Sequence, residues 1–292
     1  MMRRWWLLAV AAWCAAASGS DSAAPFAWTL RAPGTATHYL VGSIHMLPPA
    51  AHPLPDGLER AYSASRRLIV ESDPLALSST ELQGQMLAAG TAGDAGLTGE
   101  IPAPLYARLR TQLGRLGLPQ RMCDALRAWL CALTLELSGY QRAGFVPDLG
   151  IDRHFFDRAR ADGKPVAWLE TPQQQLALFT QMPDGLGREF LASALDGVGD
   201  PDMTPQRMLE AWQQGDVAFM HAQIEQLRRD HPGAYARLLS ARNRDWLDPL
   251  EDWLREPLPT LVVVGAAHLV GDDGLVDALR ARGFELDAGV RP

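Results

Sequence analysis

The chain has 292 residues, of which 47% are hydrophobic, and a formal net charge of -7 at pH 7. That hydrophobic share is ordinary for a globular protein with a buried core. The acidic balance argues against nucleic-acid binding through bulk electrostatics.

The N-terminus has the features of a secretory signal peptide. Two arginines fall within the first four residues, residues 5–17 form an uninterrupted apolar stretch, and small residues follow up to Gly19. This order predicts a signal peptide over residues 1–22 and a mature protein that begins between Ser18 and Pro25. The apolar stretch is short for a ~30 Å hydrocarbon layer, although an uncleaved anchor remains the alternative. No later segment is apolar enough to cross a membrane, so we expect a periplasmic or secreted protein.

The first region after this segment is predicted to form a β-hairpin, a helix and a strand. Residues 26–30 and 38–41 flank a turn at Ala32-Pro33-Gly34, which predicts a β-hairpin. A helix is expected from about Pro55, with Asp56 in its first turn. Residues 68–70 then form a short apolar strand.

The middle of the chain is mostly helical by its hydrophobic periodicity. One strand interrupts it at residues 165–169. The clearest helices are predicted over residues 105–116, 122–138, 151–162, 204–214 and 217–230.

The last region repeats the pattern of the first, with a strand at 261–264, a helix at 274–282 and a strand at 284–286. Strands separated by helices favour parallel pairing with right-handed crossovers. We therefore predict one domain over residues 23–292 with an α/β fold. Its small mixed or parallel sheet is formed by segments 26–73 and 259–292 with the strand near 165–170, and a helical cap covers about 74–256.

Two cysteines remain after the predicted signal peptide, Cys123 and Cys131. They lie eight residues apart in the predicted helix, which corresponds to a rise of ~12 Å. A disulfide needs Cα atoms within ~7 Å. We therefore expect two unbridged thiols.

Polar residues follow four of the predicted strands. Two strands run into Gly-x-x-His motifs that end at His45 and His268, and the other two run into Glu71 and Glu170. Ligand sites in open α/β sheets gather outside the carboxyl ends of the strands. Imidazole serves both proton transfer and metal binding. These four side chains are therefore the first candidates for an active site.

Each candidate also has a structural interpretation. The histidines could cap their strands through satisfied hydrogen bonds, and Glu71 could cap a neighbouring helix. Glu170 precedes Thr171-Pro172, which is typical of a helix start.

Several short segments resemble the TraB/PrgY/GumN family, whose animal relatives include the Tiki proteins. The likeness covers nearly the whole mature chain in the family's order. The matching segments are Gly42-Ser43-Ile44-His45-Met46-Leu47-Pro48, Glu71-Ser72-Asp73, Gly150-Ile151-Asp152, Leu169-Glu170-Thr171 with Gln175, Arg242-Asn243-Arg244, and residues 264–271. In that family the paired Gly-x-x-His motifs and the first-region glutamate are taken as the active site, and the Tiki proteins are described as metal-dependent proteases.

The resemblance adds three residues to the candidates. Asp152 opens a predicted helix, where it could also simply favour the helix dipole. Arg242 could hold a substrate carboxylate or an oxyanion, and Asn243 could bind a metal or orient another group. The alternative for both is a solvated basic face that includes Arg237 and Arg244.

The resulting hypothesis is an exported, metal-dependent, peptidase-like hydrolase. His45 and His268 would bind a divalent ion (Mn, Co or Zn) with help from Glu71 or Asn243. Glu71 would otherwise act as general base, and Arg242 would stabilise the developing negative charge. Asp152 and Glu170 are further catalytic candidates. The substrate would be a peptide or another envelope component.

Two other functions fit the same residues. A non-catalytic envelope binding protein could hold a small ligand, a metal complex or a glycan at this site. Alternatively, the two histidines and Glu71 could carry out acid–base hydrolysis without a metal. The chain has no Gly-x-Ser-x-Gly motif, which argues against a serine hydrolase.

Overall fold

A computed structural model describes residues 26–290 of the chain. The predicted signal peptide and its cleavage region lie outside the described residues. In the described part, one sheet has the strand order β4-β3-β5-β2-β1-β6. The strands are β1 (Ala27–Arg31), β2 (His38–Ser43), β3 (Arg67–Val70), β4 (Val166–Trp168), β5 (Thr260–Gly265) and β6 (Glu285–Ala288).

Helices make up most of the remaining chain. They are α1 (Asp56–Ala64), α2 (Pro74–Leu77), α3 (Thr80–Gly90), α4 (Gly96–Glu100), α5 (Ala103–Arg115), α6 (Ala128–Arg142), α7 (Ile151–Ala161), α8 (Pro172–Thr180), α9 (Asp184–Gly199), α10 (Pro205–Gln214), α11 (Val217–Asp230), α12 (Pro232–Tyr235), α13 (Ala241–Arg255) and α14 (Leu275–Ala281). A π-helical turn over Ala236–Ser240 joins α12 to α13. No described helix combines the length and the apolar character that a membrane span requires.

The sheet is parallel on one side and antiparallel on the other. Strands β4, β3, β5 and β2 are neighbours in parallel, whereas β1 pairs antiparallel with both β2 and β6. The central strand β5 is buried along its whole length, which explains its unbroken apolar sequence, because parallel strands are covered on both faces. The predicted α/β class with a mixed sheet and many helices is confirmed.

The described residues form two hydrophobic clusters. One surrounds the sheet and includes Trp212 and Trp246, both almost fully buried. The other lies among α5, α6 and α9 and is centred on Trp129 and Leu191. A helical unit with its own core therefore stands beside the sheet.

The prediction of two free thiols is wrong, because Cys123 and Cys131 form a disulfide with their Cα atoms 5.4 Å apart. Helix α6 begins at Ala128 and not at residue 122, so Cys123 precedes it in a turn. The turn is held by backbone hydrogen bonds from Ala92 to Ala125 and from Arg127 to Gly90. The helical rise that separated the two cysteines in the prediction does not exist.

Candidate active site

The carboxyl ends of the four parallel strands lie at one edge of the sheet. Across this edge the strand ends supply Glu170, Glu71, His268 and His45, in that spatial order. The Glu170 amide donates to the Glu71 carbonyl at 2.9 Å, which extends the pairing of β4 with β3 by one step. The predicted clustering of side chains from distant parts of the chain is therefore present in the fold.

His45 is held from behind by Asp152, the second residue of α7. The Asp152 Oδ1 atom lies 3.1 Å from His45 Nδ1 and accepts a 2.6 Å hydrogen bond from the Ser43 hydroxyl. Gly150 permits this approach, because a Cβ there would collide with the His45 carbonyl group. The carboxylate accepts a hydrogen bond from the Nδ1–H group and so orients the ring with Nε2 toward Glu71.

The charge state of His45 follows from these neighbours. Desolvation lowers the pKa of the imidazole, but the carboxylates of Asp152 and Glu71 outweigh it and raise the pKa to about 9. The side chain is still 59% exposed. The two carboxylates therefore favour the protonated form of His45, and the ring remains open to solvent and ligands.

His268 has the opposite character, because it is 3% exposed. Its Nδ1 lies 2.6 Å from Asn243 Oδ1, and its ring packs against Trp246 at 4.5 Å between centroids. Burial lowers the pKa of His268 to about 3, with Arg242 adding to the effect and Glu71 opposing it. A neutral imidazole with its proton on Nδ1 leaves the Nε2 lone pair facing the site.

Arg242 occupies the space between the two carboxylates and His268. Its Nη2 donates to Glu71 Oε2 at 2.5 Å and to Glu170 Oε1 at 2.7 Å, and its Nη1 donates to His268 Nε2 at 2.9 Å. The guanidinium also lies over the Trp246 ring. The π-helical turn directly before α13 is a feature that occurs often at functional sites.

The two glutamates respond differently to this cation. Burial would raise the pKa of Glu71, but Arg242, the two histidines and the Gly265 amide together outweigh it and hold the pKa well below its usual range. Burial, with a contribution from the charge of Glu71, raises the pKa of Glu170 although Arg242 acts in the opposite direction. Glu71 is thus the permanent anion of the site.

The three central groups meet at one carboxylate oxygen. The Nε2 atoms of His45 and His268 each lie 3.9 Å from Glu71 Oε1, so they are no further apart than twice that distance. The Gly265 amide donates to the same oxygen at 2.6 Å. A Cβ at Gly265 would lie 3.1 Å from Glu71 Oε1 and 3.2 Å from His45 Nε2. The glycine of the second Gly-x-x-His motif therefore leaves room for the cluster.

A cleft of about 520 Å³ opens beside this cluster. Its polar end contains His45, Glu71 and Asp152, and its walls come mainly from α2, α3 and α8. The lining residues are His45, Val70, Glu71, Ser72, Pro74, Leu77, Ser78, Leu82, Gln83, Met86, Leu87, Leu130, Pro147, Asp148, Asp152, Arg153, Gln175, Leu176 and Phe179.

Residues 26–288 match the TraB/PrgY/gumN family. The chain belongs to this family. It is similar to the uncharacterized protein YbaP of Escherichia coli (strain K12) and to YbaP of Shigella flexneri. Each is 28% identical over 253 residues, which cover 85% of this chain and 89% of the relative. No solved structure gives a significant match.

The predicted candidates form two groups, a central cluster and the residues that hold it in place. His45, Glu71, His268 and Arg242 contact one another. Asp152 lies behind His45, and Glu170 lies behind Arg242. The Asn243 amide nitrogen donates to the carbonyls of His268 and Asp273, and its oxygen faces His268 Nδ1. Of the two roles considered for Asn243, this geometry favours orienting His268 over binding a metal.

Two contributors were not recognised from the sequence. Ser43 donates a hydrogen bond to Asp152, and Trp246 packs against both His268 and Arg242. The signal for Ser43 was its place in the first Gly-x-x-His motif. The signal for Trp246 was its position one helical turn after Arg242, since residues four apart share a helix face.

The two histidines of the cluster have the orientation of metal ligands. Both histidines have Nδ1 anchored and Nε2 directed to one carboxylate, which is how metal-binding histidines are usually oriented. Nitrogen and carboxylate donors suit Zn, Co and Mn. The Arg242–His268 hydrogen bond would have to be exchanged when an ion binds. Ion binding would also require His45 to lose a proton and the donor atoms to move closer together, since those of His45, His268 and Glu71 are not all within 4.8 Å of one another. The donor types suit a divalent ion, and side-chain rotations would have to complete the site.

A second group of possible metal ligands lies on α11 and the loop after β5. Donor atoms of His221, Glu225 and Asp272 are all within 4.8 Å of one another. Arg228 already neutralises Glu225 through hydrogen bonds to Oε2. His221 and Asp272 are exposed, and this group is therefore the weaker candidate.

Proposed function

We propose that this protein is an exported, metal-dependent hydrolase of the peptidase type. One observation carries the proposal: two anchored imidazoles direct their Nε2 atoms to the same oxygen of Glu71, beside an open cleft. Two histidines with a purely structural role would not need to share the Glu71 carboxylate beside a cleft.

In this proposal His45 Nε2, His268 Nε2 and Glu71 Oε1 hold the ion. A bound divalent ion would polarise the scissile carbonyl and lower the pKa of a water molecule toward neutrality. Asp152 and Asn243 keep the two imidazoles in the binding tautomer. Glu170 holds Arg242 in place, and Arg242 stabilises the negative charge that develops on the substrate.

A second candidate function is acid–base hydrolysis without a metal. It is favoured by the different charge states of the histidines, since the pKa of His45 is raised to about 9 and that of His268 is lowered to about 3. A titratable pair whose pKa values are driven apart can supply an acid and a base at the same pH. His45 would donate a proton and His268 would accept one at Nε2.

The two functions are separated by metal analysis of the purified mature protein, combined with hydrolysis of a peptide library. We expect one divalent ion per chain in the wild type and none in His45→Ala or His268→Ala, with circular dichroism unchanged. His231→Ala is the matched control, because His231 pairs with Asp196 and not with a residue of this site. Undiminished hydrolysis after chelation would support the metal-free function, and absence of both ion and hydrolysis would leave a binding protein.

The proposed export is tested separately. N-terminal sequencing of the protein from a secreting host should find a first residue between Ser18 and Pro25. A mature chain that still begins at Met1 would contradict export by a cleaved signal peptide.

A further inference from the structure

The cleft beside the cluster is lined by both charged and apolar side chains. The charged groups are those of His45, Glu71, Asp148, Asp152 and Arg153. The helices α3, α6 and α8 add a set of apolar side chains: Leu82, Met86, Leu87, Leu130, Leu176 and Phe179. A pocket that combines apolar lining with polar groups is typical of small-ligand and side-chain binding sites.

The most exposed large hydrophobic side chain among the described residues lies in this cleft. It is Leu87, which is 60% exposed. It belongs to the same set of apolar lining side chains as Met86 and Leu130. Several apolar side chains that share one surface indicate a binding site, whereas scattered ones need no explanation.

Two buried polar atoms of residues that line the cleft lack hydrogen-bond partners. Among the described residues, neither Ser72 Oγ nor Gln175 Oε1 has a hydrogen bond, although both atoms are buried. Both residues line the cleft. The Gln175 Nε2 atom lies 3.5 Å from Glu71 Oε2, so the amide oxygen must face away from that carboxylate. An unpartnered buried acceptor gains free energy when a ligand supplies an N–H donor.

We infer that the cleft is a specificity pocket for a peptide with a large apolar side chain next to the amide bond to be cleaved. The inference rests on the proposed hydrolase function. The apolar side chain lies along Leu87, Leu130 and Phe179. After small side-chain rotations, Gln175 Oε1 accepts from a substrate N–H and the Ser72 hydroxyl donates to a substrate carbonyl.

This assignment follows from the combination of surfaces. A glycan would place hydroxyl groups against the apolar wall, where they would lose hydrogen bonds to water. A fatty acyl chain would pack against the apolar side chains of the cleft, but it has no N–H group to donate a hydrogen bond to Gln175 Oε1. A peptide supplies a donor, an acceptor and an apolar group within one residue.

Binding can be measured without turnover, with no metal added. The probes are fluorescently labelled, capped hexapeptides of alanine and glycine that carry Phe, Leu, Ser, Asp or Lys at one position. We expect Phe and Leu peptides to bind at least about tenfold more tightly than the Ser and Asp peptides at one position of the series. A fluorescent fatty acid is tested in parallel, and tighter binding of it than of every peptide would overturn the peptide assignment.

Paired variants test the location. Leu87→Glu should remove the apolar preference, and its high exposure makes misfolding improbable; Leu137→Glu, an exposed leucine outside the cleft, is its control. Gln175→Leu should weaken peptide binding about tenfold, whereas Gln173→Leu, exposed on the same helix, should not. Unchanged peptide selectivity in both cleft variants would overturn the inference. Selective peptide binding without hydrolysis in the presence of metals would support the specificity pocket and reject the hydrolase function. Hydrolysis without peptide selectivity would support the hydrolase function and reject the specificity pocket.

Discussion

The replacement Asp152→Asn should change the titration of His45 more than any other property of the site. Asp152 Oδ1 lies 3.1 Å from His45 Nδ1, while Glu71 Oε1 lies 3.9 Å from Nε2. Desolvation acts against these anions, yet together they raise the pKa of His45 to about 9. Asparagine keeps the hydrogen-bonding shape and removes the nearer charge, so the pKa should return toward the ordinary value of ~6.5.

The size of the His45 pKa shift determines how strongly pH affects ion binding and stability. The imidazole is 59% exposed, so solvent screening will reduce the shift, and we expect a wild-type pKa between ~6.5 and about 9. The ion must displace the proton, so protonation at pH 7 should weaken ion binding by at most a factor of about 100, which corresponds to a pKa of about 9. The ion-free wild type should also be stabilised below pH ~6.5 and lose that stabilisation as the pH rises through about 9, because its folded-state pKa is the higher one.

Two assays measure this. The NMR titration of the His45 ring gives the pKa directly in the ion-free protein. Calorimetry of ion binding at pH 7.5 in buffers of different ionisation enthalpy should show about one proton released by the wild type and few by Asp152→Asn. A wild-type pKa at or below ~6.5, or one that Asp152→Asn leaves unchanged, would refute the electrostatic account.

Three further outcomes are expected. Arg242→Met leaves two buried carboxylates without their cation and should lower the free energy of unfolding in urea by about 3–5 kcal/mol. Its control is Arg280→Met, which loses a half-exposed ion pair with Asp277 and should lower that free energy by at most about 1 kcal/mol. Equal losses in the two variants would contradict an effect of burial. Replacing Cys123 and Cys131 by serine should cost about 2–3 kcal/mol for a loop of eight residues, and alkylation without reduction should label neither thiol of the wild type. Gly265→Ala should weaken ion binding about 10–100-fold because its methyl group crowds Glu71 and His45, whereas Gly197→Ala, with open space around it, should bind the ion as the wild type does.

The sheet edge could be predicted because its signals are local. Valine-rich strands end in glycine, and the next polar residue must then lie at the carboxyl edge that parallel strands share. The contacts of Arg242 could not be predicted in this way. They join α13 to β3 across 171 positions of sequence, and nothing in the local sequence indicates which carboxylates an arginine on that helix will meet.

The start of α6 was mispredicted for a different reason. Residues 121–127 contain no glycine or proline, and residues such as Met122, Ala125 and Leu126 favour helices. In the structure, backbone hydrogen bonds to residues 90–97 hold this segment as turns instead. Tertiary contacts overrode local propensity there, and the cysteine spacing was misinterpreted with it.

The central parallel pair of β2 and β5 joins residues 38–43 to residues 260–265. These contacts close a loop of more than two hundred residues, and contacts so distant in sequence form slowly. On a growing chain His45 emerges early and His268 almost last, so the helical unit can fold before the sheet is complete. The paired imidazoles exist only after β5 has inserted between β3 and β2, and a chain that stops short of residue 260 contains no part of the second motif.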